Sequence, residues 1–321
     1  MNLKTFFLTP QAPFRLDLVV WTLRRRPDNA VDRWDGESYR RALSLSHGTV
    51  ELSVKQVGLP EAPKLKVVVT AQSLPTDTKA AVLPALERLL GLNVDLSRFY
   101  QFARRYKTLR ALATRFQGMK PPRFASIFEA LINAIACQQL TLTVGIQLLN
   151  RLARACGPEF GSDSAPAHAF PRPGDLAKTS AATLRELGFS RQKGRAMIEL
   201  ARAIIEEDLN LESLENLSDH AVIARLQQLR GVGRWTAEYV LLRGLGRVHV
   251  FPGDDVGARN NLQNWLGLSK PLDYDGVART LSGWKHFSGL IYFHLLLDRL
   301  EEAGYFQEAS HGARIQTRRS R

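Results

Sequence analysis

Residues 226–240 restrict the fold of this chain more than any other stretch, and their sequence is Leu-Gln-Gln-Leu-Arg-Gly-Val-Gly-Arg-Trp-Thr-Ala-Glu-Tyr-Val. Apolar residues at helical spacing lie on both sides of Gly231 and Gly233. Glycine permits backbone conformations and close approaches that a side chain would block. The stretch therefore predicts a helix that ends near Leu229, a tight turn, and a second helix that begins near Arg234.

The start of the second helix also suggests a binding function. Its first N–H groups have no partner within the helix, so they point outward and can bind a phosphate oxygen. We interpret the stretch as a helix-hairpin-helix that holds a DNA backbone without reading its bases, and an ordinary corner between two packed helices is the alternative. The candidate DNA-binding residues of the hairpin are Gly231, Gly233, Arg234 and Thr236.

The charge of the chain favours the same kind of partner. The 321 residues include 44 Lys and Arg against 31 Asp and Glu, which gives a net charge of +13. Such an excess indicates a polyanionic partner, most simply nucleic acid. No acidic residue occurs from Phe99 to Phe128, a stretch that fits either phosphate contact or a solvated helical face. Arg191 and Lys193, at the start of another predicted helix, form a second candidate phosphate site.

Composition excludes several classes of protein. Hydrophobic residues make up 45% of the chain and charged residues 23%, which is typical of a globular protein. The two cysteines, Cys137 and Cys156, are too few for a disulfide framework, a four-cysteine zinc site or an iron–sulfur cluster, so no metal site is predicted. The apolar runs are shorter than the roughly 18 residues that span a bilayer, and residues 1–14 do not resemble a signal peptide. We therefore expect a cytoplasmic, nucleoid-associated protein without membrane contact.

The predicted fold class is α+β, with a small N-terminal antiparallel sheet and helices, followed by a mostly helical part. At roughly 150 residues per domain, the length suits about two domains. Residues 1–100 form the first, with strands over Phe14–Val20, Thr49–Val57 and Leu65–Ala71, a helix start near Trp21 and a helix over Asp77–Leu90. Residues 101–308 form the second, and 309–321 are a basic tail.

Helical spacing recurs throughout the second domain, and we place a surface loop over Gly157–Pro173. Ser180, Ser190 and Ser218 stand where N-caps are expected. The predicted helices cover 109–116, 124–139, 142–156, 181–187, 192–207, 221–229, 235–242, 256–266 and 289–302.

A pair of acids follows the hairpin. Asp254 and Asp255 come directly after Pro252 and Gly253, at the point where a helix should begin. Aspartate is favoured as an N-cap and near the positive end of a helix. One of the pair can serve as the cap, which leaves one available for chemistry.

Together these motifs resemble the helix-hairpin-helix (HhH-GPD) DNA glycosylase superfamily, and within it the 3-methyladenine DNA glycosylase II (AlkA) type. The hairpin Gly231-Val-Gly-Arg-Trp-Thr-Ala and the later Phe251-Pro-Gly-Asp-Asp carry the resemblance, with Phe128-Glu-Ala-Leu-Ile-Asn-Ala-Ile-Ala-Cys-Gln-Gln-Leu140 as further support. The resemblance implies two helical lobes, about 127–247 and 101–126 plus 248–308, around a DNA-binding cleft. It also implies that Asp255 is the catalytic aspartate.

The resemblance also assigns roles around the damaged base. A flipped-out nucleotide leaves a gap in the duplex, and a side chain after the family's conserved glutamine fills it. By position this is Gln139, whereas Leu140 is the more usual apolar wedge. An electron-poor base would stack on aromatic side chains. The candidates are Trp235, Tyr239, Trp284 and Trp21, and plain core packing is the alternative for each.

The resulting prediction is a monofunctional DNA glycosylase of base excision repair. It would flip out alkylated bases such as 3-methyladenine and 7-methylguanine from double-stranded DNA and hydrolyse the N-glycosidic bond, acting as a monomer. Bifunctional relatives carry a lysine where Trp235 stands, so no AP-lyase activity is expected. No cofactor is expected, apart from a monovalent cation that the hairpin carbonyls could hold.

Two other functions stay open. One is a glycosylase of the same class for another lesion, such as hypoxanthine, an etheno adduct or an oxidised purine. The other is a DNA-binding hairpin module without catalysis. Asp255 and the aromatic residues argue against the second, since a pure binder needs neither.

Overall fold

The computed structural model describes residues 1–161 and 166–305 of the chain. Its N-terminal part contains the strands β1 (Asn2–Leu8), β2 (Arg33–Trp34), β3 (Ser38–Leu45), β4 (Gly48–Gln56) and β5 (Leu65–Ala71). They form an antiparallel sheet in the order β1-β5-β4-β3-β2. Two helices accompany the sheet, α1 (Leu16–Arg24) and α2 (Thr78–Leu90).

Alternating burial along β4 and β5 explains why both strands could be predicted. Leu52 and Val54 of β4 pair with Val69 and Val67 of β5, and all four side chains are fully buried. They belong to one apolar cluster with residues of α1 and α2. The predicted sheet with helices packed on it, and with it the α+β class, is therefore confirmed.

The strand predicted over Phe14–Val20 is wrong, because α1 occupies this region. Two adjacent β-branched residues favoured a strand. However, Leu16, Val19, Val20 and Leu23 also have the spacing of one helical face, and each is 1% exposed or less. Burial of that face against the sheet decides the conformation.

The helix start predicted near Trp21 is wrong for the same reason. Trp21 lies inside α1, which ends at Arg24. Arg25 follows in the left-handed region with φ 61°, and its N–H donates to the carbonyl of Trp21. This sharp end directs Arg25 into the interior of the protein, where it is 4% exposed.

Helices dominate the rest of the described chain, and the nine predicted beyond residue 100 are all present with small shifts at their ends. The side chains of Ser180, Ser190 and Ser218 each accept a hydrogen bond from the N–H three residues on, as predicted for N-caps. The helices are α3 (Ser97–Ala103), α4 (Lys107–Arg115), α5 (Ile127–Cys137), α6 (Leu142–Cys156), α7 (Pro173–Ala177), α8 (Ala181–Glu186), α9 (Arg191–Glu206), α10 (Asp219–Leu226), α11 (Arg234–Arg243), α12 (Val256–Leu266), α13 (Tyr274–Thr280) and α14 (Ser288–Glu302), with 3₁₀ turns at Glu212–Asn216 and Ser282–Phe287.

The described parts of Gly157–Pro173, residues 157–161 and 166–173, differ from the predicted surface loop. Strands β6 (Glu159–Phe160) and β7 (Ala167–His168) pair within it. Phe160 and Ala167 are buried against Ala42 of β3. The prediction of a plain surface loop is therefore corrected, whereas the predicted basic tail lies outside the described residues.

The buried apolar residues form two large clusters. One joins the sheet, α1 and α2 to α5, α6 and the helices up to α11. The other joins α3 and α4 to α12, α13 and α14. The first half of α11 contacts the loop before α12, where Arg234 binds Asp254 and Glu238 binds Gly253. The domain bounds given above stay predictions. None of the helices in the described ranges is long and apolar enough to cross a membrane.

Candidate active site

A cavity of about 1350 Å³ lies where the α5–α6 turn, the start of α9, the hairpin turn and the start of α12 meet. Four segments that are far apart in sequence thus share one open space. Most of the site residues expected from the sequence line it: Gln139, Leu140, Arg191, Lys193, Gly231, Gly233, Arg234, Trp235, Thr236 and Asp255.

The two hairpin glycines occupy different environments. Gly231 has φ +77°, and a Cβ there would lie 2.9 Å from the Cβ of Ala196 on α9. Gly233 is the N-cap of α11 in an extended conformation, and a Cβ there would meet nothing within 4 Å. Gly231 is therefore required by the fold of the turn, whereas Gly233 leaves bare backbone facing the cavity.

Two polar side chains join the α5–α6 turn to its neighbours. Gln138 Nε2 donates to the carbonyl oxygen of Gly231 at 2.7 Å and to Thr236 Oγ1 at 2.8 Å. Lys193 Nζ donates to the carbonyl oxygens of Ala136 at 3.0 Å and Gln138 at 2.6 Å. The ammonium of Lys193 thus caps the C-terminal end of α5, and its burial there lowers the pKa of this lysine.

The turn that these contacts hold presents two side chains at the edge of the cavity. Gln139 adopts φ +54°, in the left-handed region that side chains rarely enter. Leu140 follows with 42% of its surface exposed. Both candidates for the gap-filling side chain therefore lie on the same turn at the edge of the cavity.

Asp255 lines the same cavity from the start of α12. It caps α12, because its Oδ1 accepts the N–H of Ala258 at 2.9 Å. Its Oδ2 accepts the hydroxyl of Tyr292 at 3.3 Å. The capping role considered for one of the two acids thus falls to Asp255 itself, and Asp254 is engaged elsewhere.

Helix α11 fixes the loop that carries both acids. Arg234 Nε donates to Asp254 Oδ2 at 2.8 Å, and its guanidinium lies 3.7 Å from the ring centre of Tyr274. One helical turn further, Glu238 accepts the N–H of Gly253 at 3.1 Å and the hydroxyl of Tyr274 at 2.6 Å. Burial raises the pKa of Glu238, and burial together with Glu238 raises the pKa of Tyr274 to about 12.

Sequence reasoning missed Glu238, Tyr274 and Tyr292. For Glu238 a signal existed, because it lies one turn after Arg234 on the same face of a predicted helix. Tyr274 and Tyr292 reach the site only through the packing of α13 and α14, which no local pattern reveals.

The four candidate aromatics are not brought together. Trp235 lines the cavity, and the ring of Tyr239 lies behind it with the two ring centres 5.4 Å apart. Tyr239 is 3% exposed, and its hydroxyl accepts a hydrogen bond from Arg25 at 2.8 Å. Arg25 also donates to Asn133 Oδ1 of α5 at 2.8 Å, so a residue of the N-terminal part supports both walls of the cavity.

The structure places neither Trp21 nor Trp284 at this cavity. Trp21 is 6% exposed and stacks on Tyr305, with ring centres 5.4 Å apart. Trp284 contacts the rings of Tyr106 and Trp265 at 5.7 and 5.6 Å. Trp21 therefore packs in the core, which was the alternative to a role at the damaged base. Trp284 lies on a different surface, with Tyr106 and Trp265.

Known proteins are similar to this chain in sequence and in fold. The model of the HhH-GPD superfamily of base excision DNA repair proteins matches residues 132–286. The chain is 31% identical over 183 residues to DNA-3-methyladenine glycosylase 1 of Schizosaccharomyces pombe, an alignment that covers 57% of this chain and 72% of that protein. It is 32% identical over 179 residues to DNA-3-methyladenine glycosylase 2 of Escherichia coli, covering 56% of this chain and 60% of that protein.

A solved structure extends the similarity to nearly the whole chain. The 3-methyladenine DNA-glycosylase from Archaeoglobus fulgidus superimposes with a TM-score of 0.78 at 27% identity, over 91% of this chain and 97% of that one. The similarity therefore includes the N-terminal sheet as well as the helices around the cavity. The chain belongs to the HhH-GPD superfamily of base excision DNA repair proteins.

Proposed function

We propose that the protein is a monofunctional DNA glycosylase that removes alkylated bases, such as 3-methyladenine and 7-methylguanine, from double-stranded DNA. The observation that carries the proposal is the cavity itself, which Asp255 lines together with the hairpin, the Gln139–Leu140 turn and Trp235. The relatives named as 3-methyladenine glycosylases support the same reaction.

DNA would bind along the hairpin side of the cavity. The free N–H groups at the start of α11 offer hydrogen bonds to a phosphate, and the missing side chain at Gly233 lets the backbone come close. Arg191, exposed at the start of α9, adds a positive charge on the same side. These contacts hold the duplex without reading its sequence.

The damaged nucleotide would leave the stack and enter the cavity. Gln139 or Leu140 would fill the gap, since both stand on the same turn. The face of Trp235 would receive the base, and a positive charge on an alkylated purine strengthens that contact.

Bond cleavage then depends on Asp255. The transition state carries positive charge on the sugar, which a nearby carboxylate stabilises. The carboxylate can also orient the attacking water. An alkylated purine is already charged and leaves without a general acid, which fits a site that offers one carboxylate for the chemistry.

A strand-cleaving lyase step is not part of the proposal. Such a step needs an amine nucleophile. Among the described residues that line the cavity, Lys193 is the one lysine, and two carbonyl oxygens of α5 hold its ammonium. Trp235 stands at the position of the lysine in bifunctional relatives.

A monovalent cation at the hairpin stays a proposal. The carbonyl oxygens of Gly231 and Gly233 accept hydrogen bonds from Gln138 and from the N–H of Ala237. A carbonyl oxygen has two lone pairs, so each keeps one for a cation. The cation would hold the turn in shape and take no part in the reaction, and the enzyme would act as a monomer close to chromosomal DNA.

The decisive experiment measures base release from methylated duplex DNA by chromatography, with Asp255→Asn and Asp254→Asn compared. The proposal expects release of 3-methyladenine by the wild type and by Asp254→Asn, and near-complete loss in Asp255→Asn. Binding of DNA without release would overturn the alkylation assignment, and hypoxanthine, etheno and oxidised-purine substrates would be tested next. Activity in Asp255→Asn would overturn the catalytic assignment.

A further inference from the structure

We propose that Arg104, Arg105, Lys107 and Lys285, here called the basic platform, form a second surface that binds the phosphate backbone of DNA outside the cavity. The platform lies at the corner between α3 and α4 and on the 3₁₀ turn before α14. All four side chains are exposed, and none of them lines the cavity. None of the four residues belongs to the catalytic site around Asp255.

Two aromatic rings show that these charges share one surface. The ring centres of Tyr106 and Trp284 are 5.7 Å apart in an edge-on contact. Tyr106 stands between Arg105 and Lys107 in the chain, and Lys285 follows Trp284 directly. The contact therefore brings the charge of the 3₁₀ turn beside those of the α3–α4 corner.

The fold does not use these four charges. Within residues 1–161 and 166–305, no hydrogen bond or ion pair engages their side chains. Three other cations of the same acid-free stretch do have partners within the protein. Arg115 pairs with Asp298 and Glu301, Arg123 lies 3.7 Å from a carboxylate oxygen of Glu215, and Lys120 donates to the carbonyl of Val94 at 2.6 Å.

The platform also works against local stability. Lys107 occupies the first turn of α4, where the helix dipole disfavours a positive charge. Tyr106 at the N-cap provides no side-chain hydrogen bond, and the first turn contains no acid. Neighbouring like charges repel one another, whereas a row of phosphates would offset all of these costs.

The platform lies at a distance from Asp255 that DNA can bridge. Trp284 contacts Trp265 near the end of α12, and Asp255 caps the start of that helix. At about 1.5 Å per residue, the 11 residues of α12 span about 16 Å. With about 3.4 Å per base pair, this corresponds to about five base pairs of duplex.

The test uses undamaged DNA, so it does not depend on the glycosylase proposal. Binding to duplexes of about 10 and about 30 base pairs would be measured by fluorescence anisotropy over a series of salt concentrations. The variant Arg104→Glu/Arg105→Glu/Lys107→Glu is compared with Lys4→Glu/Lys66→Glu/Lys79→Glu, which changes the net charge equally at exposed lysines of the N-terminal part. Thermal unfolding of each variant verifies folding, and the same positions changed to Gln provide a milder second variant.

We expect the platform variant to bind the long duplex at least about tenfold more weakly than the control does. The slope of log affinity against log salt should fall by about 2 to 3, since each lost phosphate contact removes about 0.9. If affinity falls only for the long duplex, the platform contacts the flank of the DNA that is bound at the cavity. If affinity falls for both lengths, the platform binds a second segment of DNA. Equal affinities and slopes for platform variant and control would overturn the proposal.

Discussion

At the scale of single residues, Asp255 illustrates how one carboxylate is held in place. Its two oxygens accept hydrogen bonds from different elements, Oδ1 from Ala258 in its own helix and Oδ2 from Tyr292 in α14. The hydroxyl of Tyr292 remains a donor, because burial and the nearby charge of Asp255 raise its pKa well above the ordinary value. Tyr292 is therefore a positioning residue for the proposed reaction.

The change Tyr292→Phe should slow base excision by about fivefold. It removes a long hydrogen bond of 3.3 Å to a charged group, a contact of about 1 kcal/mol, and about 1.4 kcal/mol corresponds to tenfold in rate. The measurement is the single-turnover rate on methylated duplex at saturating protein, together with the affinity for DNA. The affinity should stay constant, since Tyr292 does not line the cavity.

Tyr100→Phe is the matched control for that experiment. Its hydroxyl accepts the N–H of Gly118, away from the cavity. A loss of rate in Tyr100→Phe equal to that in Tyr292→Phe, or an unchanged rate in Tyr292→Phe, would contradict the positioning role.

At the scale of elements, the two glycines of the hairpin differ in their surroundings, and only one of them is required by the fold. Gly231 has a left-handed φ and touches α9, so an added Cβ strains the turn. Gly233 has neither constraint, since a Cβ there would meet nothing within 4 Å, and the proposed DNA contact is the reason that we give for a glycine at this position. Two glycines that look equivalent in the sequence therefore have different roles.

Gly231→Ala and Gly233→Ala should accordingly differ in their effects. Gly231→Ala should lower the free energy of unfolding by about 1–3 kcal/mol, because of the backbone strain and the contact with Ala196. Gly233→Ala should leave stability within about 0.5 kcal/mol of the wild type and weaken DNA binding. Chemical denaturation and anisotropy on the same samples measure both quantities. Equal loss of stability in the two variants would contradict this division.

The elements also show what sequence patterns can and cannot reveal. The turn between the two hairpin helices, the nine helices predicted beyond residue 100 and the N-cap serines follow from spacing and capping chemistry within one segment. The structure contains all of them, with small shifts at the helix ends. The cavity position expected for Trp284 depended instead on how the 3₁₀ turn packs against α4. Lys193 illustrates the same limit, since its contact with α5 joins residues more than 50 positions apart.

At the scale of the whole molecule, buried arginines connect the N-terminal part to the helical part. Arg41 of β3 binds Asp32 at 2.7 Å and Glu129 of α5 at 2.6 Å. Arg25, at the end of α1, binds Tyr239 of α11 and Asn133 of α5. Arg41 of the sheet and Arg25 of α1 therefore brace α5 and α11, whose ends both reach the cavity. A change in the N-terminal part should reach the site through these contacts.

The core beneath α14 makes the stability of the molecule depend on pH. His294 is fully buried, and its Nδ1 lies in a hydrogen bond with the carbonyl oxygen of Leu290 at 2.8 Å. Burial lowers the pKa of this histidine to about 4. Above the ordinary pKa of 6.5, the imidazole is neutral in both folded and unfolded chains, so it contributes no pH dependence there. Below 6.5 the unfolded chain binds a proton that the folded protein excludes, and stability is lost as the pH falls towards 4.

Between about pH 7 and pH 4, His294 should lower the free energy of unfolding by about 3 kcal/mol. Each pKa unit of the shift from 6.5 to about 4 corresponds to about 1.4 kcal/mol. Free energies of unfolding from urea titrations, at a series of pH values from about 7 to about 4, measure it. The change His294→Leu removes the titrating group. The free energy of unfolding of this variant should therefore fall by about 3 kcal/mol less than that of the wild type between about pH 7 and pH 4. This difference does not depend on the variant's stability at neutral pH. His286→Leu, at an exposed histidine on the preceding turn, should follow the wild-type curve. Parallel curves for the wild type and His294→Leu would show that His294 does not cause the loss.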